Sequence, residues 1–187
     1  MYDSYRVTRY VAFLRGINVG GHNVKMDHLR KHFEDCGFVG ASTFIASGNV
    51  LFESEGSAPG ELEPRIEQAL RQALGYEVAT FVRTDAEVME IAAHEPFSEL
   101  PRREGDTTYL VFLRAAPDAT THDRVLALAN EQDLLHLRGP ELYWLRRGSL
   151  LDSTITAPQF ARALGGMPTT VRNANTVRRL AAKLKVG

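Results

Sequence analysis

Residues 10–25 read YVAFLRGINVGGHNVK, an apolar run that leads into a glycine-rich loop. The apolar residues of Tyr10–Gly16 are continuous rather than alternating, which is typical of a strand buried on both faces. The loop combines three glycines with an arginine, two asparagines and a lysine, so it has both backbone freedom and hydrogen-bonding side chains. A helix is predicted directly after it, over Met26–Cys36, with an apolar face and Gly37 as its stop. The segment therefore predicts a buried strand that ends at a polar binding loop.

The remainder of the first half continues with a hairpin, a helix and a strand. Two β-rich runs flank the turn residues Ser47 and Gly48, which favours a hairpin. The order β-α-β-β-α-β is typical of a ferredoxin-like plait. The predicted elements are strands over Phe38–Ala46, Asn49–Glu53 and Glu77–Arg83 and a helix over Glu61–Leu74.

The same order recurs in the second half, where YLVFLR at residues 109–114 resembles YVAFLR at residues 10–15. These six residues suggest a duplication, and both central strands are predicted to end in an arginine. We therefore predict an α+β fold of two tandem ferredoxin-like plaits with an added C-terminal helix. The first plait is predicted over residues 1–84 and the second over 107–187, with a connecting helix and linker at 85–106. The elements predicted after the linker are strands over Thr107–Arg114, Leu134–Arg138, Glu141–Arg146 and Thr169–Arg172 and helices over His122–Glu131, Pro158–Leu164 and Thr176–Lys185.

Composition limits the class of protein. A chain of 187 residues that is 44% apolar can bury a substantial core. It has no apolar run of transmembrane length and no signal-peptide pattern at its start. The single cysteine, Cys36, cannot form an internal disulfide and lies on the apolar face of a predicted helix. We therefore expect a soluble cytoplasmic protein without a membrane partner.

The net charge of −1 conceals an uneven distribution of charge. Met1–Phe33 carries six Lys or Arg against two acids, and Ser153–Gly187 carries six Lys or Arg and no acid. The middle of the chain, Glu34–Asp152, holds ten bases and twenty-one acids. These acids are scattered over predicted surface faces, and no paired-carboxylate or Ser-His-Asp arrangement can be identified. Basic ends favour an anionic partner if they meet in the fold, although terminal helices can also simply carry solvated Lys and Arg.

The glycine-rich loop is the strongest candidate binding site. Arg15 can hold a phosphate or a carboxylate through two parallel hydrogen bonds, and Lys25 adds a point charge. The loop matches neither the Walker A nor the dinucleotide-binding spacing, so no nucleotide motif is present. A glycine-rich connection whose asparagines cap their own turns is the alternative. The candidate ligand-binding residues here are Arg15, Gly16, Asn18, Gly20, Gly21, Asn23 and Lys25.

Two further segments are candidates. The hairpin turn contributes Ser47, Gly48 and Asn49, which also simply suit a turn. The C-terminal segment RNANT contributes Arg172, Asn173 and Asn175, and we predict Asn175 or Thr176 as the N-cap of the last helix, whose amide groups attract anions. Ordinary capping by asparagine is the alternative there. No metal site is predicted, because His28 and His32 lack a third ligand at suitable spacing.

Three stretches of this chain together resemble the DUF1697 family, a bacterial group of unknown function. They are LRGINVGG at residues 14–21, FIASGNVLF at 44–52 and RNANTV at 172–177. The resemblance spans nearly the whole chain and implies two plait-like α/β subdomains, but it supplies no established activity. Thr154 stands where the family often has lysine, and Ala174 stands where a bulkier residue is usual. The family's polar positions correspond to Arg15, Gly16, Asn18, Gly20, Gly21, Ser47, Gly48, Asn49, Arg172, Asn173 and Asn175.

The sequence thus indicates a function class but names neither a reaction nor a cofactor. The leading hypothesis is a nucleotide-type or other anionic small-molecule site that the glycine-rich loop forms with the 172–175 segment. Its ligand would bear a phosphate or a carboxylate. The first alternative is a nucleic-acid-binding plait, since plaits often present an open sheet to RNA. The second alternative is a ligand-free scaffold for protein interactions.

Overall fold

The computed structural model describes residues 7–18, 20–45, 48–148 and 153–186. Within these ranges the fold is α+β, with two four-stranded antiparallel sheets and six helices. Two compact units divide the chain, the first running to Met89 and the second from Glu90 to Val186. Of the helices that the structure describes, none is both long and apolar enough to cross a membrane.

The first unit has its central strand where the apolar run predicts it. Its sheet has the order β2-β3-β1-β4, and β1 pairs antiparallel with both β3 and β4. The strand begins earlier than predicted, at Val7, and it ends at Leu14, so Arg15 directly follows the strand instead of ending it as predicted. The elements are β1 (Val7–Leu14), α1 (Met26–Asp35), β2 (Val39–Thr43), β3 (Asn49–Glu55), α2 (Pro59–Leu74) and β4 (Thr80–Thr84).

The core of the first unit explains why the apolar run is continuous. One face of β1 carries Tyr10, Ala12 and Leu14 into a cluster with the apolar faces of α1 and α2. The opposite face carries Val11 and Phe13, which are also fully buried. A strand buried on both faces cannot alternate apolar and polar residues, and this is why its period gives no amphipathic signal.

Acidic side chains of α2 cover the backbone of β4, which ends the sheet. Glu63 Oε1 accepts a hydrogen bond from the Val82 amide, and Glu67 Oε1 accepts one from the Thr80 amide, each at 2.9 Å. Glu63 is only 2% exposed, so the prediction that the acids lie on surface faces is wrong for this residue. Pairing the edge amides with carboxylates satisfies them without another strand and blocks edge-to-edge association.

The second unit has a sheet of order β6-β7-β5-β8, with β5 in the centre. Val111 and Leu113 of β5 pack against α4 and α5, and α6 packs along β5 and β8. Helix α3 (Asp85–Ala93) begins in the first unit and ends in the second. The other elements are β5 (Thr107–Leu113), α4 (Ala119–Leu126), β6 (Asp133–Arg138), β7 (Glu141–Arg146), α5 (Ala157–Ala163), β8 (Thr169–Asn173) and α6 (Ala174–Val186).

The two units repeat backbone details that the short sequence repeat alone could not establish. The Leu14 amide donates to the Gly48 carbonyl and the Leu113 amide to the Pro140 carbonyl, both at 2.8 Å. In the last strand of each unit, a buried arginine stands opposite the central strand and donates to the carbonyl of the residue before it. These arginines are Arg83, which pairs with Val11, and Arg172, which pairs with Leu110. The recurrence supports a duplication.

The covered edge of β4 gives a stability prediction. Glu63→Ala should lower the free energy of unfolding by about 1–3 kcal/mol, because the buried Val82 amide loses a charged acceptor. Gln68→Ala is the matched control, since Gln68 is exposed on the same helix and its loss should change stability by less than about 0.5 kcal/mol. Urea denaturation monitored by circular dichroism measures both values. Equal midpoints for the two variants would contradict a stabilising role for the carboxylate.

Candidate functional site

The glycine-rich loop, residues 15–25, is closed by contacts within the first unit. Asn18 Oδ1 accepts a hydrogen bond from the Val24 amide at 2.7 Å and draws the two halves of the loop together. The Ile17 side chain is buried in the core. Asn18 therefore shapes the loop. This agrees with the alternative interpretation, in which the asparagines of the loop stabilise its turns.

Tyr76 holds the loop from outside and is a residue that sequence reasoning missed. Its hydroxyl donates to the Ile17 carbonyl at 3.1 Å, and its ring stacks on His22 with centroids 3.7 Å apart. Burial raises the pKa of the Tyr76 phenol, so it remains a hydrogen-bond donor at neutral pH. Tyr76 follows the helix-ending Gly75, and no local pattern links it to a loop more than fifty residues earlier.

The hairpin tip between β2 and β3 converges with the loop. Gly48 lies so close that a Cβ built on it would be 2.8 Å from Ile17 Cγ2 and 3.3 Å from the Leu14 carbonyl oxygen. Its φ of +70° also favours glycine. The structure thus brings together two of the three predicted segments. Ser47 lies outside the described residues.

Asn49 and its neighbours fix the shape of the hairpin tip. The Asn49 side chain is fully buried and its Nδ2 donates to the Phe44 carbonyl at 3.1 Å, while the Phe44 amide donates to the Asn49 carbonyl at 2.9 Å. Ile45 has a positive φ of 49°, which is rare for a β-branched residue. Such strain persists only where surrounding contacts enforce it, and it is common at functional sites.

The cationic side chains of the loop face solvent. Arg15 and Lys25 are exposed, and neither forms an ion pair with any residue in the described ranges. The backbone below Arg15 is nevertheless fixed, because its amide donates to the Ala79 carbonyl at 2.8 Å. The predicted residues Gly16, Gly20, Gly21 and Asn23 are exposed on the same loop. Positive charge on a fixed backbone is suited to binding an anion.

In the second unit, Arg172 is buried rather than presented to solvent. It is 8% exposed, and its Nη1 donates to Thr170 Oγ1 at 2.8 Å and to the Val171 carbonyl at 2.9 Å. Burial lowers the pKa of its guanidinium to about 10, because desolvation disfavours the charged form. These hydrogen bonds hold the Arg172 side chain against its own strand, β8.

Asn173 caps the last helix. The helix begins at Ala174, and Asn173 Oδ1 accepts from the Asn175 amide at 2.8 Å. The predicted N-cap at Asn175 or Thr176 is therefore wrong, because the extended backbone of β8 leads directly into the first helical turn. Asn175 instead accepts a hydrogen bond from Arg178 Nη1 at 2.9 Å.

A polar cleft of about 200 Å³ lies beside this helix start. Arg102 and Arg178 supply the positive charge of the cleft. Asp106, which also lines it, forms an ion pair with Arg147, whose Nη1 atom lies 3.9 Å from Asp106 Oδ2. Arg178 is itself paired with Glu95 at 2.9 Å. The cleft is lined by Arg102, Asp106, Thr107, Thr108, Asn173, Ala174, Asn175 and Arg178.

The three predicted segments are therefore distributed over two units. The glycine-rich loop and the hairpin tip share the first unit, whereas residues 172–175 belong to the second. The prediction that Arg15 and the 172–175 segment form one site stays a prediction.

Asp133 is a buried carboxylate that the sequence did not single out. It accepts hydrogen bonds from Ser153 Oγ and Trp144 Nε1, each at 2.8 Å, and from the Thr154 amide at 3.0 Å. The Thr154 side chain accepts a hydrogen bond from Asn130 Nδ2 at 3.0 Å. This network ties the start of the 153–156 segment to β6. These hydrogen bonds therefore stabilise the second unit.

The histidines of α1 and Cys36 are candidates for metal-ion or nucleophilic chemistry. Among the described residues, no cluster of three or more His, Cys, Asp or Glu has the geometry to hold a metal ion. His28 is exposed and His32 half-buried on α1. Cys36 packs partly against the core, and burial raises the pKa of its thiol while Arg65 opposes that rise. The thiol is thus a poor nucleophile at neutral pH.

The contact between the hairpin tip and the loop can be tested with two glycines. Gly16→Ala should cost about 1–2 kcal/mol of stability, because Gly16 has a φ of +68° but nothing within 4 Å of an added Cβ. Gly48→Ala should cost about 1–3 kcal/mol more, because its Cβ also collides with Ile17. Thermal and urea denaturation measure the difference. Equal costs would show that the tip does not pack on the loop.

Comparisons with known proteins agree with the fold. A conserved bacterial protein, SP0830 from Streptococcus pneumoniae, superposes with a TM-score of 0.73 at 21% identity, covering 96% of this chain and 99% of that one. No curated protein matches the chain. The sequence profile of a family described as "Protein of unknown function (DUF1697)" matches residues 7–143. The chain belongs to the DUF1697 family.

Proposed function

We propose that the protein is a cytoplasmic binder of a small molecule that bears a phosphate or a carboxylate, and that the glycine-rich loop provides the anion site. The observation that carries this proposal is the state of Arg15 and Lys25. Both cationic side chains are exposed and without an ion pair among the described residues, at opposite ends of a loop whose backbone is fixed. An arginine that only keeps the protein soluble does not need to stand on a fixed backbone.

The fixed backbone supplies preorganisation. The Asn18–Val24 bond and the Tyr76 contacts define the loop before a ligand arrives, so little conformational entropy remains to be lost on binding. Arg15 then offers a planar fork for two anionic oxygens, and Lys25 adds a compact charge. His22, stacked on Tyr76, contributes a third polar group at the same surface.

The 172–175 segment is proposed to take part through its exposed members. Arg172 is bonded within β8, and Asn173 caps α6, so Asn175 with its partner Arg178 is the better candidate for ligand contact. The cleft beside them has room for a small anion. In this proposal Asn175 and Arg178 contact the ligand, and Arg172 stabilises the strand that precedes them.

We also infer that each unit is a ferredoxin-like plait, with domains at residues 1–84 and 107–187 and a connection at 85–106. The strand order β2-β3-β1-β4, its counterpart β6-β7-β5-β8 and the β-α-β-β-α-β sequence of elements support this inference.

Nucleic-acid binding is less favoured. Plaits that bind RNA stack bases on an exposed sheet face. In the first unit, Val11, Phe13 and Phe81 are fully buried on the face opposite α1 and α2. In the second, Trp144 is stacked on Phe160 and Tyr143 is buried. These aromatic side chains are therefore not placed as base platforms. No particular contact favours the scaffold alternative.

The proposal predicts a ligand whose binding depends on Arg15. In a thermal-shift screen of nucleotides, sugar phosphates and carboxylates, at least one compound should raise the Tm of the native protein. Arg15→Gln should abolish that shift with a stability change below about 0.5 kcal/mol, because Arg15 is exposed. Arg114→Gln is the matched control, since Arg114 is the exposed arginine after the other central strand. Its ligand response should be unchanged.

Two further measurements separate the hypotheses. Binding of a compact anion should weaken modestly between 50 and 200 mM salt, whereas oligonucleotide binding should fall by orders of magnitude, about 10³-fold or more for six or more phosphate contacts. Asn175→Ala should reduce the Tm shift caused by any anion that binds in the cleft beside α6. A flat screen, or an unfolded Arg15→Gln variant, would contradict the anion-site proposal.

A further inference from the structure

Two histidines that no motif connects face each other in the second unit. His94 lies just after α3 and His136 lies on β6, and their Nε2 atoms are 3.2 Å apart. Both side chains are half-buried. Because they are far apart in the sequence, the fold alone brings these two nitrogens together.

Neighbouring aromatic and backbone groups hold this pair in place. The Tyr143 ring lies edge-on to His94 at 4.9 Å and to His136 at 6.1 Å. Tyr143 is itself fixed, since it is buried and its hydroxyl donates to the Ile91 carbonyl at 3.2 Å. Burial raises the pKa of Tyr143 to about 12, so it stays protonated and keeps this bond. The two imidazoles thus have little freedom to separate.

Burial and a nearby positive charge both favour the neutral form of the two imidazoles. Burial lowers the pKa of His94 and of His136, and the positive charge of Arg138 lowers both further. His136 also lowers the pKa of His94. A neutral imidazole retains a lone pair on one ring nitrogen, which is the form that binds metal ions.

We propose that His94 and His136 form a two-histidine site for a borderline divalent transition-metal ion such as Zn²⁺ or Ni²⁺. Two nitrogens bound to one tetrahedral Zn²⁺ at about 2.0–2.1 Å lie about 3.3 Å apart, which matches the observed separation. In the free pair, one Nε2 carries the proton that the other accepts. On binding, that ring holds its proton on Nδ1 instead, so both Nε2 atoms donate lone pairs without net proton release.

The surroundings set the character of the site. The protein supplies two ligands, so water or a solution anion completes the coordination sphere and the ion remains exchangeable. Glu95 follows His94 in sequence but its Oε1 is paired with Arg178. Arg138 repels a cation and weakens binding. These features favour a labile ion over a structural one.

The test is a titration of untagged full-length protein with Zn²⁺ and Ni²⁺ at pH 7.5, in competition with a chromophoric chelator. One equivalent of exchangeable binding is expected for each metal, and Mg²⁺ should not compete because it prefers oxygen ligands. His136→Gln and His94→Gln should each weaken binding by more than about tenfold. Arg138→Gln should strengthen binding, a change that a purely structural histidine pair would not produce.

The control is the double variant His28→Gln/His32→Gln, which removes the two histidines that stand four residues apart on α1. It should bind as the native protein does. Circular dichroism establishes folding of each variant, and His94→Gln serves if His136→Gln does not fold. Absence of binding of either metal, unchanged binding in both single variants, or loss of binding in the double variant would each overturn the proposal.

Discussion

Two backbone hydrogen bonds at the end of β1 determine the arrangement around the glycine-rich loop. The Leu14 amide donates to the Gly48 carbonyl and the Arg15 amide to the Ala79 carbonyl, both at 2.8 Å. Because β1 is central, its last residues are held from both sides, and the chain leaves the sheet at a fixed point. The hairpin tip and the segment before β4 are thereby placed at the base of the loop. Arg15 receives its position from the sheet even though its side chain is free of ion pairs in the described ranges.

Burial separates arginines that look alike in the sequence. Arg15 and Arg114 follow the central strands and are exposed, whereas Arg83 and Arg172 face the central strands and are buried. Removing a guanidinium from water is costly, and the cost is limited here by hydrogen bonds to backbone carbonyls. A buried arginine that is bonded in this way is committed to the fold. An exposed one that rests on a fixed backbone can exchange water for an anionic ligand at much smaller cost.

Local patterns predicted the elements better than the site. The apolar run of β1, the helix that ends before Gly75 and the hairpin around Gly48 all depend on neighbouring residues, and each forms close to where the pattern indicates. The roles of Glu63 and Tyr76 depend on partners far along the chain, and no period in the sequence encodes such a partner. Asp133 was missed for the same reason, since its partners include Ser153 twenty residues later.

The candidate residues fall into two groups with different physical roles. Asn18, Gly48, Asn49, Arg172 and Asn173 are engaged by hydrogen bonds or tight packing that shape the loop, the hairpin tip and the start of α6. Arg15, Lys25, Gly20, Gly21 and Asn23 are exposed on the surface that the first group creates. Gly20 and Gly21 have positive φ values, which a purely structural loop would also need, whereas the exposed side chains of Arg15, Lys25 and Asn23 contribute little to stability. These three side chains are therefore the part of the loop that the proposed binding function uses and the fold does not.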